Sequence, residues 1–215
     1  MTTMTGRHEG AAPTAAPSAE TARVPGEAAM VLTAAYQRTR LGAWLVPSGG
    51  ERRATLEGWA ALVLEDAATR GVVDATRDRH AVAVWLPGPP EPPTAWWAEL
   101  AAATGRHSER FEAFHRALLS LAPPPERHHQ LMHICVHPRH RGHGRATTLL
   151  GHRLRELDRQ RLTAYAVATS PALVKWLTRH RFLAHGPPAT PLDKGPVLRP
   201  MVREPNRHLH HRPDR

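Results

Sequence analysis

The segment Val136-His137-Pro138-Arg139-His140-Arg141-Gly142-His143-Gly144-Arg145-Ala146 decides the reading of this chain. It lies between residues 130–136, which read as a strand, and residues 146–160, which read as a helix. Gly142, Gly144 and the small Ala146 let the backbone come close to a ligand, and glycine tolerates unusual φ. The free N–H groups of the helix that follows point back toward the strand, and its dipole adds partial positive charge. Together they make an anion cradle suited to a pyrophosphate. Arg141 and Arg145 can add charge-assisted contacts to phosphate oxygens. Behind the loop, Ala146, Leu149, Leu150, Leu154 and Leu157 form the apolar stripe that seats the helix on a sheet.

Three kinds of glycine loop are weighed for this segment. A triphosphate loop needs Gly-x4-Gly-Lys-Ser/Thr, and the two lysines of the chain, Lys175 and Lys194, lie elsewhere. A dinucleotide fold wants Gly-x-Gly-x-x-Gly with an acidic residue closing the next strand. Position 147 is Thr, and the following strand ends at Ala168-Thr169. The third kind rests on a longer pattern, taken up below.

Outward from the loop, the last third of the chain alternates. Residues 163–168 read as a strand, 171–180 as a helix, and 182–185 and 197–202 as further strands. Upstream, 28–38 and 53–70 carry helical periodicity. In the second, Leu56, Trp59, Ala60, Val63, Leu64 and Ala67 share one face, and Gly71 stops the helix. Residues 72–76 and 81–86 suggest a hairpin across a short RDRH turn. The prolines of 87–93 form a stiff connector unsuited to a sheet interior. Helices over 95–103 and 109–121 precede a break at 123–126. This order predicts an α+β (mixed α/β) fold, a central mixed sheet with helices on both faces. One domain over 26–203 is expected, flanked by disordered tails at 1–25 (Ala, Pro and Thr) and 204–215 (His and Arg), which cannot bury enough surface to offset chain entropy.

Composition narrows the function classes. The chain has 215 residues, with 29 Lys+Arg against 19 Asp+Glu and a formal charge of +10. Only two of those 29 cations are lysines, and arginine rises together with alanine and proline, as a GC-rich coding sequence would give. The basicity is therefore discounted as evidence for nucleic acid, and no helix-turn-helix, zinc-finger or aromatic-platform signal supports it. The single cysteine, Cys135, cannot form an internal disulfide. No apolar run approaches the roughly 18 residues a membrane span needs, and residues 1–20 lack the apolar core of a secretory signal. A cytoplasmic protein is expected.

Arg141-Gly142-x-Gly144-x-Ala146, preceded by Val136-x-Pro138, resembles the coenzyme A pyrophosphate motif of the GNAT superfamily of N-acetyltransferases. A second stretch, 163–182, resembles the strand, Ser-Pro turn and helix that follow there: Val167-Ala168-Thr169-Ser170-Pro171, then Leu177-x-x-x-Arg181-Phe182. Ala81-Val82-Ala83-Val84-Trp85-Leu86-Pro87 is similar to the central hairpin strand of the subgroup containing puromycin N-acetyltransferase. The resemblance spans roughly 28–205 and is densest after 128. It departs from the family at Leu177, where a tyrosine usually protonates the departing thiolate, at Arg181 for glycine, and at Ala168 for glutamate. The first family strand has no counterpart among residues 1–27.

The resemblance implies acetyl-CoA as cosubstrate and a primary amine of a small molecule as acceptor, with direct attack in a ternary complex. It places the cofactor contacts at Ile134, Cys135 and Val136 of the strand and at Arg141, Gly142, His143, Gly144, Arg145 and Ala146 of the loop. His133 and His129, on or just before that strand, are the candidate bases, because histidine is the natural side chain for the task. His129-x3-His133-x3-His137 would share a face on a helix, but on a strand i and i+4 lie too far apart for one ion, so no metal is expected. Trp44, Trp96 and Trp97 are weighed as pocket walls against core packing. Two alternatives stay open: a coenzyme-A-binding sensor or partner with turnover impaired by Leu177, and a basic nucleic-acid-binding protein. A homodimer is compatible with either enzyme or sensor.

Overall fold

The computed structural model describes residues 24–88, 91–190 and 194–206. The tail expected over 1–25 lies outside the described residues up to 23, and the one over 204–215 does so from 207 onward. Helix α1 spans Val24–Tyr36, α2 Arg40–Leu45 and α3 Arg52–Arg70; the hairpin β1 Val72–Ala75 and β2 Ala81–Pro87 follows. Next come α4 Thr94–Thr104, α5 Ser108–Leu119, β3 His128–Val136, α6 Arg145–Gln160, β4 Thr163–Ala168 and α7 Pro171–Arg179. β5 Leu183–Ala184 and β6 Arg199–Arg203 close the sheet. Short α2 escapes periodicity. It forms because the Thr39 hydroxyl accepts the Gly42 N–H, capping a turn of only six residues.

The sheet order is β1-β2-β3-β4-β6-β5. β2 explains how two helical layers fit. Ala81, Ala83 and Trp85 pack with Leu149, Leu150, Leu154 and Leu157 of α6 and Leu177 of α7. The alternate residues Val82, Val84 and Leu86 pack with α1 and α3. A strand covered on both faces reads as a continuous apolar run. On the α3 side a second layer, α2, α4 and α5, adds its own core around Trp59, Phe111 and Phe114. The proline connector starts one residue later than its sequence suggests, since Pro87 still pairs with His129 at the strand end.

The central event is a divergence. β3 and β4 pair in parallel only from His128↔Thr163 to Leu131↔Ala166. Beyond that point β3 stays with β2 as far as Ala81↔Val136, whereas β4 turns to β6 through Val167↔Pro200 and Ala168↔Arg199. The β2–β3 register shifts between Val84↔His133 and Trp85↔Leu131, which leaves Met132 as the extra residue on β3 in the same region. Bulges add local bend and twist. The backbone of Met132–Val136 is thereby left without a strand partner on the β4 side.

The end of the fold is tied down by charge. The buried Asp158 of α6 accepts two hydrogen bonds from Arg203 at 2.8 and 2.9 Å and one from the Asn206 backbone N–H at 2.8 Å. Burial opposes ionisation of Asp158, but the hydrogen bonds from Arg203 and Asn206 outweigh it and hold the carboxyl below its usual range.

Candidate active site

The loop after β3 has the backbone its glycines anticipate. Gly142 and Gly144 lie at φ +83° and +71°, in the left-handed region that a side chain disfavours. Gly144 is the N-cap of α6 and offers no side chain to its first-turn N–H groups. Those donors are left for a ligand or water. Residues 141–144 are exposed, and an added Cβ at either glycine would meet nothing within 4 Å, so the bend is open to an incoming anion. The α6 start, the two left-handed glycines and the unpartnered edge of β3 fit the pyrophosphate and pantetheine arm of coenzyme A. Arg141 is exposed beside them. The Arg145 guanidinium instead turns to Asp78 (2.6 Å) and to the His140 carbonyl. Its backbone N–H remains in the first turn of α6.

Where β3 and β4 part, a cleft opens among Tyr36, Gln130, His133, Ile134, Ala166, Thr169 and Leu177. Adjoining it, a second cavity lies under α3, α4 and α5, between Val63, Leu86, Trp96, His115, Met132 and Tyr165. Gln130, Met132 and His133 line both. Of the two histidines singled out by sequence, His133 therefore lines both cavities; His129 lines neither. His129 is half-buried, and its burial together with nearby Arg153 and Arg127 lowers its pKa.

His133 is held from several directions. Its Nδ1 is 2.8 Å from the Tyr36 hydroxyl. The ring meets Trp59 edge-on at 5.3 Å, and Trp59 also meets Tyr36 edge-on at 5.1 Å. Trp59 donates its Nε1–H to His115 Nε2 at 3.0 Å, which fixes the neighbouring ring too. Burial lowers the pKa of His133 to about 4 and that of His115 to about 3, so both are neutral at pH 7. The Nε2 of His133 is buried without a hydrogen-bond partner among the described residues, as are Trp96 Nε1 and Tyr165 Oη, whose residues line the second cavity. Burying a polar atom unpartnered is costly, which is what a site awaiting a polar ligand looks like.

Ile134 lines the cleft, while Cys135 packs on the α1 and α3 side of β3. Burial pushes the Cys135 thiol up to about 12, so it stays protonated at neutral pH. Leu177 is buried in the cleft wall. Ser170 caps α7, accepting the Leu173 N–H at 3.2 Å ahead of Pro171. Of the tryptophans, Trp96 lines the cavity, whereas Trp97 and Trp44 stack under Arg116 and Arg110. Tyr36, His115, Gln130 and Tyr165 escaped the sequence reading. Tyr36 sits at the end of an apolar stripe, and nothing in its own segment brings it to a residue 97 positions away.

Residues 84–175 match the family model described as the acetyltransferase (GNAT) family. Among solved structures, the fold is similar to "histone acetyltransferase HPA2 and related acetyltransferase" from Corynebacterium glutamicum, at 23% identity and TM-score 0.63 over 86% of this chain and 93% of that one. It is similar to arylalkylamine N-acetyltransferase 2 from Aedes aegypti, at 15% identity and TM-score 0.61 over 86% and 96%. It is also similar to the Drosophila melanogaster polyamine N-acetyltransferase that forms N-acetylagmatine, at 12% identity and TM-score 0.52 over 85% and 95%. These likenesses bear out the GNAT fold. No curated protein sequence matches the chain.

Proposed function

We propose that this chain, which carries a GNAT acetyltransferase domain, moves the acetyl group of acetyl-CoA to the primary amine of a small, largely apolar molecule in the cytoplasm. One observation carries the reading: His133 lines both the cleft between the diverging strands, where the thioester would lie, and the cavity beneath α3–α5, where an amine would lie. Two reactants held on either side of one residue can attack in line within a ternary complex. Such positioning contributes roughly 7–11 kcal/mol, against about 10²–10⁴-fold for a general acid or base. The amine nitrogen adds to the thioester carbonyl, and His133 Nε2 takes its proton.

The cavity walls support the acceptor class. Leu86, Trp96, Leu118, Leu121 and Met132 are apolar; of the two carboxylate residues, Asp66 is already engaged by Arg70 at 2.6 Å, and Glu91 lies at the same end, its carbonyl accepting from Arg70. The cavity volume of about 80 Å³ suits a small group, since one water takes about 10–15 Å³. An arylalkyl or alkyl amine fits such walls better than a polycation. Soluble partners of other kinds are not required by the site, and no described helix is long and apolar enough to cross a membrane.

The second reading, a coenzyme-A-binding sensor without turnover, has one observation in its favour: the buried hydrocarbon of Leu177 in the cleft. Release of free coenzyme A thiol from acetyl-CoA across an amine panel decides between them. Amine-dependent release that His133→Ala abolishes supports the enzyme. Tight acetyl-CoA binding with no release from any amine supports the sensor.

A further inference from the structure

Leu177 leaves the cleft without the phenol that usually protonates the departing thiolate, yet another phenol is present there. We propose that Tyr36, reaching the cleft from α1, is the proton donor to that thiolate, and that it forms with His133 a relay carrying the acceptor's proton from one cavity to the other. This rests on the acetyl-transfer reading above.

Four observations carry it. Tyr36 and Leu177 line the same cleft, and Tyr36 is its only phenol among the described residues. The other cleft-lining side chains with N–H or O–H groups are Gln130, Thr169 and His133 itself. Tyr36 Oη and His133 Nδ1 are 2.8 Å apart, so the two groups already share a proton. The remaining nitrogen of His133, Nε2, is unpartnered, and His133, unlike Tyr36, also lines the acceptor cavity. The pair thus links a residue that lines only the cleft to one that lines both cavities. Trp59, edge-on to both rings, fixes their relative position.

The proton count closes. In the starting tautomer the Nδ1–H of His133 donates to Tyr36 Oη, and Nε2 carries a lone pair. The amine nitrogen forms its bond to the acetyl carbon, and the C–S bond breaks with its electron pair on sulfur. The amine proton passes to Nε2, the Nδ1 proton to Tyr36 Oη, and the former Tyr36 hydroxyl proton to sulfur. The imidazole ends neutral with its proton on Nε2, and exchange with water after product release restores the first tautomer. A relay also resolves a difficulty at His133. A buried imidazole with a pKa near 4 cannot store a proton at neutral pH, but it can pass one on when its other nitrogen gives one up in the same event. The groups around the pair carry no competing charge: His115 is neutral, and burial, reinforced by Cys135, keeps the Tyr36 phenol protonated far above its usual range.

The test uses the full chain and an amine that the wild type acetylates. Tyr36→Phe keeps the ring and removes the proton. Its kcat falls at least tenfold while the calorimetric affinity for acetyl-CoA stays within a factor of about two. Adding Leu177→Tyr to Tyr36→Phe returns most of the lost kcat, because a phenol is restored to the same cleft. In mixed H2O and D2O, the wild-type kcat depends on deuterium fraction as expected for more than one moving proton. A Tyr36→Phe protein as fast as wild type, or one whose rate loss is matched by its loss of acetyl-CoA affinity, overturns the relay alone. A wild type that releases no thiol with any amine overturns the acetyl-transfer reading itself.

Discussion

At His133 two demands on an imidazole meet. As the proposed base it must be neutral to accept a proton, and it must be held where both reactants could reach it. Burial meets the first by lowering its pKa to about 4, and Tyr36 and Trp59 meet the second. His133→Ala is expected to lower kcat about 10²–10⁴-fold with acetyl-CoA affinity unchanged, as read by thiol release and calorimetry. The same burial has a stability signature. Both His133 and His115 have folded pKa values below the unfolded value of about 6.5, so the unfolded chain binds their protons first. Stability should fall as pH drops from about 6.5 toward 4, by roughly 3 kcal/mol from His133 alone, and His133→Phe should flatten that part of the curve in denaturant titrations. Arg181 shows a residue-scale departure with a physical cost. It sits at φ +67°, where the family carries glycine, a region that costs a side-chain-bearing residue about 1–2 kcal/mol. Allowing for the greater unfolded-state freedom of glycine, Arg181→Gly should gain up to about 1 kcal/mol, measured as a rise in Tm.

At the scale of elements, the strand–bend–helix unit was the most legible part of the chain, because its signals are local. Gly142 and Gly144 predict left-handed backbone, the leucine stripe predicts the buried face of α6, and both are found. The α3 stripe from Leu56 to Ala67 is buried as read. What stayed hidden depends on partners remote in sequence. The Arg145 side chain, read as a phosphate contact, is drawn to Asp78 in the β1–β2 turn 67 positions away, and Arg153 is likewise paired with Asp74. The cavity proposed for the acceptor takes its walls from α3, α4, α5, β2, β3 and β4, and no single segment announces it. The bend yields its own prediction. Gly144→Ala forces a Cβ onto a left-handed N-cap, so acetyl-CoA affinity should fall about tenfold or more, with thermal stability lowered by only about 1 kcal/mol.

For the whole molecule, the divergence of β3 from β4 organises everything else. It frees one strand edge, where the proposed activity would seat the acyl donor, and β6 bonds the outer side of β4. The Asp158–Arg203 pair, reinforced by Asn206, locks that outer strand to α6 across a buried contact. Removing one partner of a buried pair strands the other charge, so Asp158→Ala should cost about 3–5 kcal/mol in urea unfolding. The proposed activity requires the open bend at the start of α6 to receive the pyrophosphate of coenzyme A. Titration calorimetry of the full chain with acetyl-CoA tests this most directly. Saturable one-to-one binding that Gly144→Ala weakens about tenfold is the predicted result; no heat of binding at millimolar acetyl-CoA would contradict it.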